Sequence, residues 1–384
     1  MRVAVNAEQL LYRSPGGIGR YTAALLTLMP AGCPTLEVVP FTARHRPAEV
    51  EAALAEAGVD ASVRARAAVL PWPRPALYDG WHRLGRPRLA GRRGLGGLDL
   101  VHAPSVAVPP PGPVPLVVTV HDAAPELFPE AFPPRGRRFH AQGLAAAARR
   151  ADLVITVSQA AADEITAHSA IRPDRVRVVP NPVAAPEVDP AQRARVLEAL
   201  GLDSRPYVLW VGSLEPRKGV GTLVAAMARL RRRHRAFEVE TVLAGFEGWL
   251  GDDVIDPADR QALGPSLHQL GRVRDADLWC LYSGAALFAF PSRHEGFGLP
   301  VVEAMSQGVP VVASDIPAVR EVAGPAALLV PPGDPDAWAE AIAAVLPDGP
   351  ERARLAAAGP VRAREFSPQR WVQCTWAVYQ EIGS

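Results

Sequence analysis

Short apolar runs separated by helical stretches occur twice along these 384 residues, and that alternation restricts the fold more than any other feature. In the first half, Val3 to Asn6, Leu36 to Pro40, Leu98 to His102, Leu116 to Val120, Asp152 to Val157 and Arg175 to Val179 read as strands. Helical stretches such as Arg137 to Arg150 and Gln159 to His168 separate most of them. A strand that is apolar on both faces needs cover on both, which a parallel sheet with crossover helices supplies. The second half repeats the pattern at Tyr207 to Val211, Val239 to Ala244, Ser266 to Leu270, Ala285 to Phe290, Val309 to Ala313 and Ala326 to Val330. Between the sets lies Val179 to Pro186, a linker stiffened by proline. The class is therefore α/β, with two doubly wound parallel-sheet domains expected at 1–183 and 190–366, since a chain of this length exceeds one ordinary core. Two such sheets would form a cleft between their carboxyl edges, where ligands of open α/β sheets bind. Residues 71–113, rich in Pro, Gly and Arg, read as long connections around one helix. The last two helices, near 351–366 and 368–384, are amphipathic.

Composition narrows the function. A net charge of +1 gives no basis for a nucleic-acid partner. No apolar run approaches the ~20 residues of a membrane span, and Met1 to Asn6 enters a strand without the apolar core of a signal peptide. Cys33, Cys280 and Cys374 are an odd number and far apart, as reduced thiols of a cytoplasmic protein would be. Of the 41 basic residues only Lys218 is lysine. A lysine surviving such a bias is expected where a compact ammonium is needed and a planar fork is no substitute.

The densest chemistry lies between Phe290 and Glu303, where an apolar strand runs through Glu295, Gly296, Phe297 and Gly298 into a helix starting near Leu299-Pro300. Free N–H groups at that helix start attract an anion, usually phosphate. Glu295 and Glu303 flank the point, and carboxylates accept from the hydroxyls of a sugar. Arg217 and Lys218 occupy a second strand-to-helix turn and would neutralise a diphosphate. Their charge would help most as the diphosphate departs. His121 ends the strand Leu116 to Val120, at the edge facing the expected cleft. Gly16-Gly17-Ile18-Gly19 partly matches a dinucleotide fingerprint but has Thr22 where the third glycine belongs. Asp275-Ala276-Asp277 and Asp334-Pro335-Asp336 begin helices, so capping explains them better than a metal.

The run from Phe290 to Pro310 resembles the Glu-x7-Glu signature of glycosyltransferase family 4, and Gly212 to Gly219 resembles that family's Gly-x-x-x-x-x-(Arg)-Lys-Gly motif. The resemblance implies the GT-B fold, two Rossmann-like domains facing across a cleft, with the C-terminal helix crossing back onto the first domain through Trp371, Trp376 and Tyr379. It implies a retaining, metal-independent transfer without cofactor from a nucleoside-diphosphate sugar. By position, Glu295 would orient sugar hydroxyls, Glu303 would accept from the ribose, Arg217 and Lys218 would hold the phosphates, and Gly296, Phe297, Gly298 and Leu299 would bind the donor beside them. His121 would lie at the donor sugar, Gly16 and Gly17 near phosphate and acceptor, and Val273 beside the base. The combination of Leu214-Glu215-Pro216-Arg217-Lys218 with Glu295 to Pro300 looks most like bacterial mannosyl- and rhamnosyltransferases, hence GDP-mannose as the expected donor, with a UDP-, ADP- or dTDP-sugar as the alternative. The acceptor is a glycan, a lipid-linked sugar or a small molecule. Ser213 departs from the family, several members of which carry arginine there. Arg86, Arg88, Arg92, Arg93, Arg135, Arg137 and Arg138 could form a basic face for weak membrane contact. Competing readings are an NAD-linked Rossmann enzyme, a phosphorylase with pyridoxal phosphate on Lys218, and a sugar-nucleotide-binding module without catalysis.

Overall fold

A computed structural model describes residues 1–13, 15–234, 237–246 and 254–383. Its contacts divide the chain into two compact units, Met1–Pro182 with the segment from Pro368 onward, and Val183–Ser367. Each is built on one parallel sheet.

In the first unit the strands are β1 (Arg2–Asn6), β2 (Glu37–Thr42), β3 (Ala68–Val69), β4 (Leu100–Ala103), β5 (Leu116–Thr119), β6 (Leu153–Thr156) and β7 (Val176–Val178), in the order β3-β2-β1-β4-β5-β6-β7. In the second they are β8 (Tyr207–Val211), β9 (Glu240–Ala244), β10 (Leu267–Gly271), β11 (Leu287–Phe290), β12 (Val311–Ser314) and β13 (Leu328–Val330), ordered β10-β9-β8-β11-β12-β13. Both orders reverse direction once, between β1 and β4 and between β8 and β11. That reversal leaves a crevice at the carboxyl edge, because the connections on its two sides run to opposite faces.

Several strands begin later than the apolar pattern suggests, for identifiable reasons. Pro310 has no N–H to give a ladder, and β12 starts at Val311. The Ala285 N–H is taken by Tyr282 C=O at the end of the preceding helix, and β11 starts at Leu287. The pair Ala68–Val69 and the helix Pro47–Glu56 carry no pattern strong enough to stand out in the sequence.

The C-terminal helix, Pro368–Gly383, packs into the core of the first unit, with Trp371, Val372, Val378 and Tyr379 buried and Trp376 partly buried against it. Ser384 lies outside the described residues. A buried polar chain ties this helix to the sheet. The Tyr379 hydroxyl bonds His102 Nδ1 at 2.6 Å, His102 Nε2 bonds Thr119 Oγ1 at 2.8 Å, and Thr119 bonds the Tyr21 hydroxyl at 2.9 Å. Among the described residues no helix is long and apolar enough to cross a membrane.

Burial sets the acid response of this unit. It pushes the imidazole of His102 down to about 3 and that of His82 down to about 4, and it lowers His121 and His140. In the unfolded chain these rings take protons near pH 6.5, which the folded unit refuses. Their contribution is complete above that pH and is lost as pH falls from about 6.5 towards 3. Hydrogen exchange over residues 1–182, corrected for intrinsic rate, should show protection dropping between pH 7.5 and 5. Unchanged protection at pH 5 would contradict this account.

Candidate active site

Two loops leave the second sheet where its strand order reverses. Residues 212–219 follow β8, and residues 291–298 follow β11. They are fitted together by backbone. Gly219 has φ +67°, and a Cβ there would lie 2.0 Å from the Pro291 carbonyl oxygen. The Arg293 N–H donates to the Arg217 carbonyl at 2.8 Å. Gly298, at φ +101°, turns the second loop into the helix Leu299–Ser306, with Pro300 in its first turn.

The charged groups of the two loops meet. Lys218 Nζ donates to both oxygens of Glu295, at 2.7 and 2.9 Å, and Ser292 Oγ donates to Glu295 Oε1 at 2.7 Å. Arg217 donates to the His294 carbonyl at 2.8 Å, with its guanidinium 3.6 Å from Glu295 and 3.5 Å from Glu215. Ser213 Oγ donates to Glu215 Oε1 at 2.7 Å. Burial by itself would raise the Glu295 carboxyl. The charges of Lys218 and Arg217 and the hydrogen bonds from Lys218 and Ser292 outweigh it, holding the group below the ordinary carboxylate range.

Glu303 sits one turn into the helix, buried, and accepts from the Tyr282 hydroxyl at 2.8 Å. Tyr282 comes from the helix Asp275–Gly284, which also begins just after Val273. Val273 is partly exposed in the turn following β10. Gly296 is buried, Leu299 is partly exposed, and Phe297 is buried with its ring edge-on to Phe366 at 5.4 Å. The Phe297 side chain therefore serves the core, and what it can offer a ligand is backbone. Asp334 caps its helix, accepting from the N–H groups of Asp336 and Ala337 at 3.0 and 3.2 Å. Asp277 pairs instead with Arg274 at 2.8 Å. Among the described residues no three His, Cys, Asp or Glu gather as a metal site.

In the first unit Gly16 and Gly17 are exposed at the start of the helix Gly16–Gly32, which follows β1. His121 follows β5 and donates from Nε2 to the Pro104 carbonyl at 2.9 Å. That bond fixes the neutral tautomer with its lone pair on Nδ1. Burial lowers this ring's affinity for a proton, against the opposing Pro104 carbonyl and Asp122. The Tyr21 ring meets His121 edge-on at 5.0 Å, so the glycine-led helix and His121 share one support.

The structure thus brings Arg217, Lys218, Glu295 and Ser292 into contact within one unit. Reading the sequence passed over three further participants. Glu215 stood in the quoted motif, two residues from Arg217, without a role. His294 contributes its carbonyl, which no motif marks. Tyr282 lies in another helix, 21 positions from Glu303, where no motif marks it.

Two parallel-sheet units of these strand orders make up the GT-B fold, and the solved structures agree in fold. HepE from Anabaena, in complex with UDP and glucose, superposes with a TM-score of 0.74 over 100% of both chains at 20% identity. Sucrose-phosphate synthase from Thermosynechococcus elongatus gives 0.71 at 21% identity, over 100% of this chain and 99% of that one. Residues 15–187 match the family described as Glycosyltransferase Family 4, and residues 193–362 match Glycosyl transferases group 1. The O-antigen chain mannosyltransferase B of Escherichia coli is 34% identical over 67% of this chain and 68% of its own length. A D-inositol 3-phosphate glycosyltransferase of Salinispora tropica is 36% identical over 70% of this chain, a match spanning 59% of that relative. The chain belongs to glycosyltransferase family 4.

Proposed function

We propose that this glycosyltransferase moves a hexosyl group from a nucleoside-diphosphate sugar, GDP-mannose in the first instance, with retention of configuration and without metal or other cofactor. The observation that carries this reading is the contact of Lys218 with Glu295 at the switch point, beside Arg217 and a helix start. It offers a diphosphate a positive field and a sugar a carboxylate in the same few ångströms. As the bond from the sugar carbon to the diphosphate oxygen lengthens, negative charge collects on the diphosphate and the Lys218 ammonium stabilises it, in the positive field it shares with Arg217. Each charge-assisted hydrogen bond contributes roughly 1.5–3 kcal/mol. The incoming hydroxyl approaches the same face, and the departing diphosphate takes its proton. Glu295 orients the sugar hydroxyls, Glu303 accepts from the ribose, and backbone near Val273 meets the base. In the first unit His121, with its Nδ1 lone pair, accepts from a sugar hydroxyl, and Gly16 and Gly17 admit phosphate and acceptor.

The relative named a mannosyltransferase supports a mannosyl donor and a glycan acceptor. A uridine donor is the second reading, favoured by the HepE complex with UDP. A lipid-linked or small-molecule acceptor fits the same chemistry. The exposed Leu84 among Arg83, Arg86 and Arg88 supports weak peripheral contact with an anionic membrane from the cytoplasmic side.

Thermal shift with GDP, UDP, ADP and dTDP tests the reading. The matching nucleotide at 100 times its dissociation constant adds about 2.7 kcal/mol. If none of the four raises the melting temperature, the proposed function is wrong.

A further inference from the structure

Arg217 and Lys218 are adjacent cations in one motif, yet the structure uses them differently. Among the described residues the Lys218 ammonium bonds Glu295 alone, with its side chain 18% exposed. An ammonium on a four-carbon stem can turn from one anion to another with little rearrangement. The Arg217 side chain is 12% exposed and has protein acceptors on several sides. It donates to the carbonyl of His294 and lies 3.6 Å from Glu295 and 3.5 Å from Glu215. The His294 carbonyl belongs to the peptide that joins His294 to Glu295. Holding that oxygen sets the plane from which the Glu295 side chain departs. The Arg217 carbonyl receives the Arg293 N–H from the same loop. Glu215, buried and itself fixed by Ser213, holds the guanidinium from the other side.

We propose that Arg217 is a positioning residue that fastens the 212–219 loop to the 291–298 loop, that Glu215 and Ser213 set its guanidinium, and that Lys218 is the cation that meets the diphosphate. This rests on the nucleotide-sugar reading above and divides the labour within it. A phosphate ligand must give its donors to the ligand. A donor spent on the His294 carbonyl, in a guanidinium held between the Glu215 and Glu295 carboxylates at 3.5 and 3.6 Å, is spent on geometry instead, and a planar fork suits that task because it faces several acceptors at fixed angles. Ser213 then completes the support for Arg217, in the place where an arginine would add charge.

The test compares GDP with GMP, or UDP with UMP if the uridine pair binds more tightly, by calorimetry on the full chain. The ratio of the two affinities reads the second phosphate, and the monophosphate affinity reports that each variant is folded. Lys218→Gln should lower the diphosphate-to-monophosphate ratio by about tenfold or more, the scale of one lost charge-assisted bond. Arg217→Gln should leave that ratio within about threefold of wild type while transfer falls by about a hundredfold, as expected for a misplaced reacting group. Arg217→Lys keeps the charge but not the fork, so its transfer rate should stay as low as that of Arg217→Gln. Glu215→Gln should move in the same direction by a smaller factor. If Arg217→Gln loses the ratio as Lys218→Gln does, or if Arg217→Lys restores transfer, Arg217 is a phosphate ligand and the proposal fails. If wild type binds neither member of any pair, the nucleotide-sugar reading falls, and this inference with it. A wild type that binds, with the two variants behaving alike, overturns this inference only.

Discussion

Replacing Glu295 with glutamine should cut transfer by roughly 10²–10³ and at the same time tighten the binding of the free nucleoside diphosphate. The two effects have opposite signs because Glu295 has two relations. Towards the sugar it is the carboxylate expected to hold hydroxyls as the ring flattens, and losing one such group from a dry site lowers kcat by roughly 10²–10³. Towards Lys218 it is a competitor of the diphosphate. Both its oxygens are bonded to the ammonium, and a phosphate must take that ammonium away. A neutral amide competes less, so the diphosphate should bind about three- to tenfold more tightly, ~1 kcal/mol in the range of a single exposed-to-buried ion pair. Without ligand the variant should be less stable, since Lys218 and Arg217 lose an anion in a mostly buried place. Calorimetry with the diphosphate and turnover with the diphosphate sugar separate the two relations. A parallel loss of binding and transfer would show that Glu295 supports the fold of the loop and has no separate dealings with the sugar.

Gly219→Ala should do the most damage for the least added mass. The residue stands at φ +67°, where an L side chain costs about 1–2 kcal/mol. Its new methyl would also lie 2.0 Å from the Pro291 carbonyl oxygen, closer than any carbon to oxygen contact allows. A backbone atom cannot swing aside as a side chain can, so the two loops must part. Overpacking of this kind costs a further ~1–3 kcal/mol. The expected result is a clear loss of melting temperature in Val183–Ser367, loss of the nucleotide-induced shift, and no change in hydrogen-exchange protection over Met1–Pro182. Retention of wild-type nucleotide binding would mean that the loops are not held by this contact.

Much of the fold was legible because parallel strands buried on both faces announce themselves as short apolar runs. Tyr207–Val211 and the helix Gln159–His168 fall where the pattern puts them. Strand starts were less legible, since they turn on one N–H being absent at Pro310 or taken at Ala285. Phe297 shows the limit at the site. As a letter in a motif it sat among donor-binding residues, but its ring is edge-on to Phe366 in the core. Glu303 likewise is seen to accept from Tyr282, a partner 21 positions away that no local rule connects to it.

What the sequence determined by itself is the set of parts. Two alternating strand-helix series, glycines before helix starts, one lysine and a spaced carboxylate pair are all local properties, and local properties are written in consecutive letters. What only the tertiary structure decided is which parts touch. Lys218 and Glu295 lie 77 positions apart and become partners because β8 and β11 are neighbours in the sheet. Arg217 and Lys218 are neighbours in sequence and differ in task because successive side chains in a tight turn leave it in different directions. The adjacency of strands is set by packing across the whole domain, and so the pairing of charges, on which the chemistry rests, is a property of the folded chain.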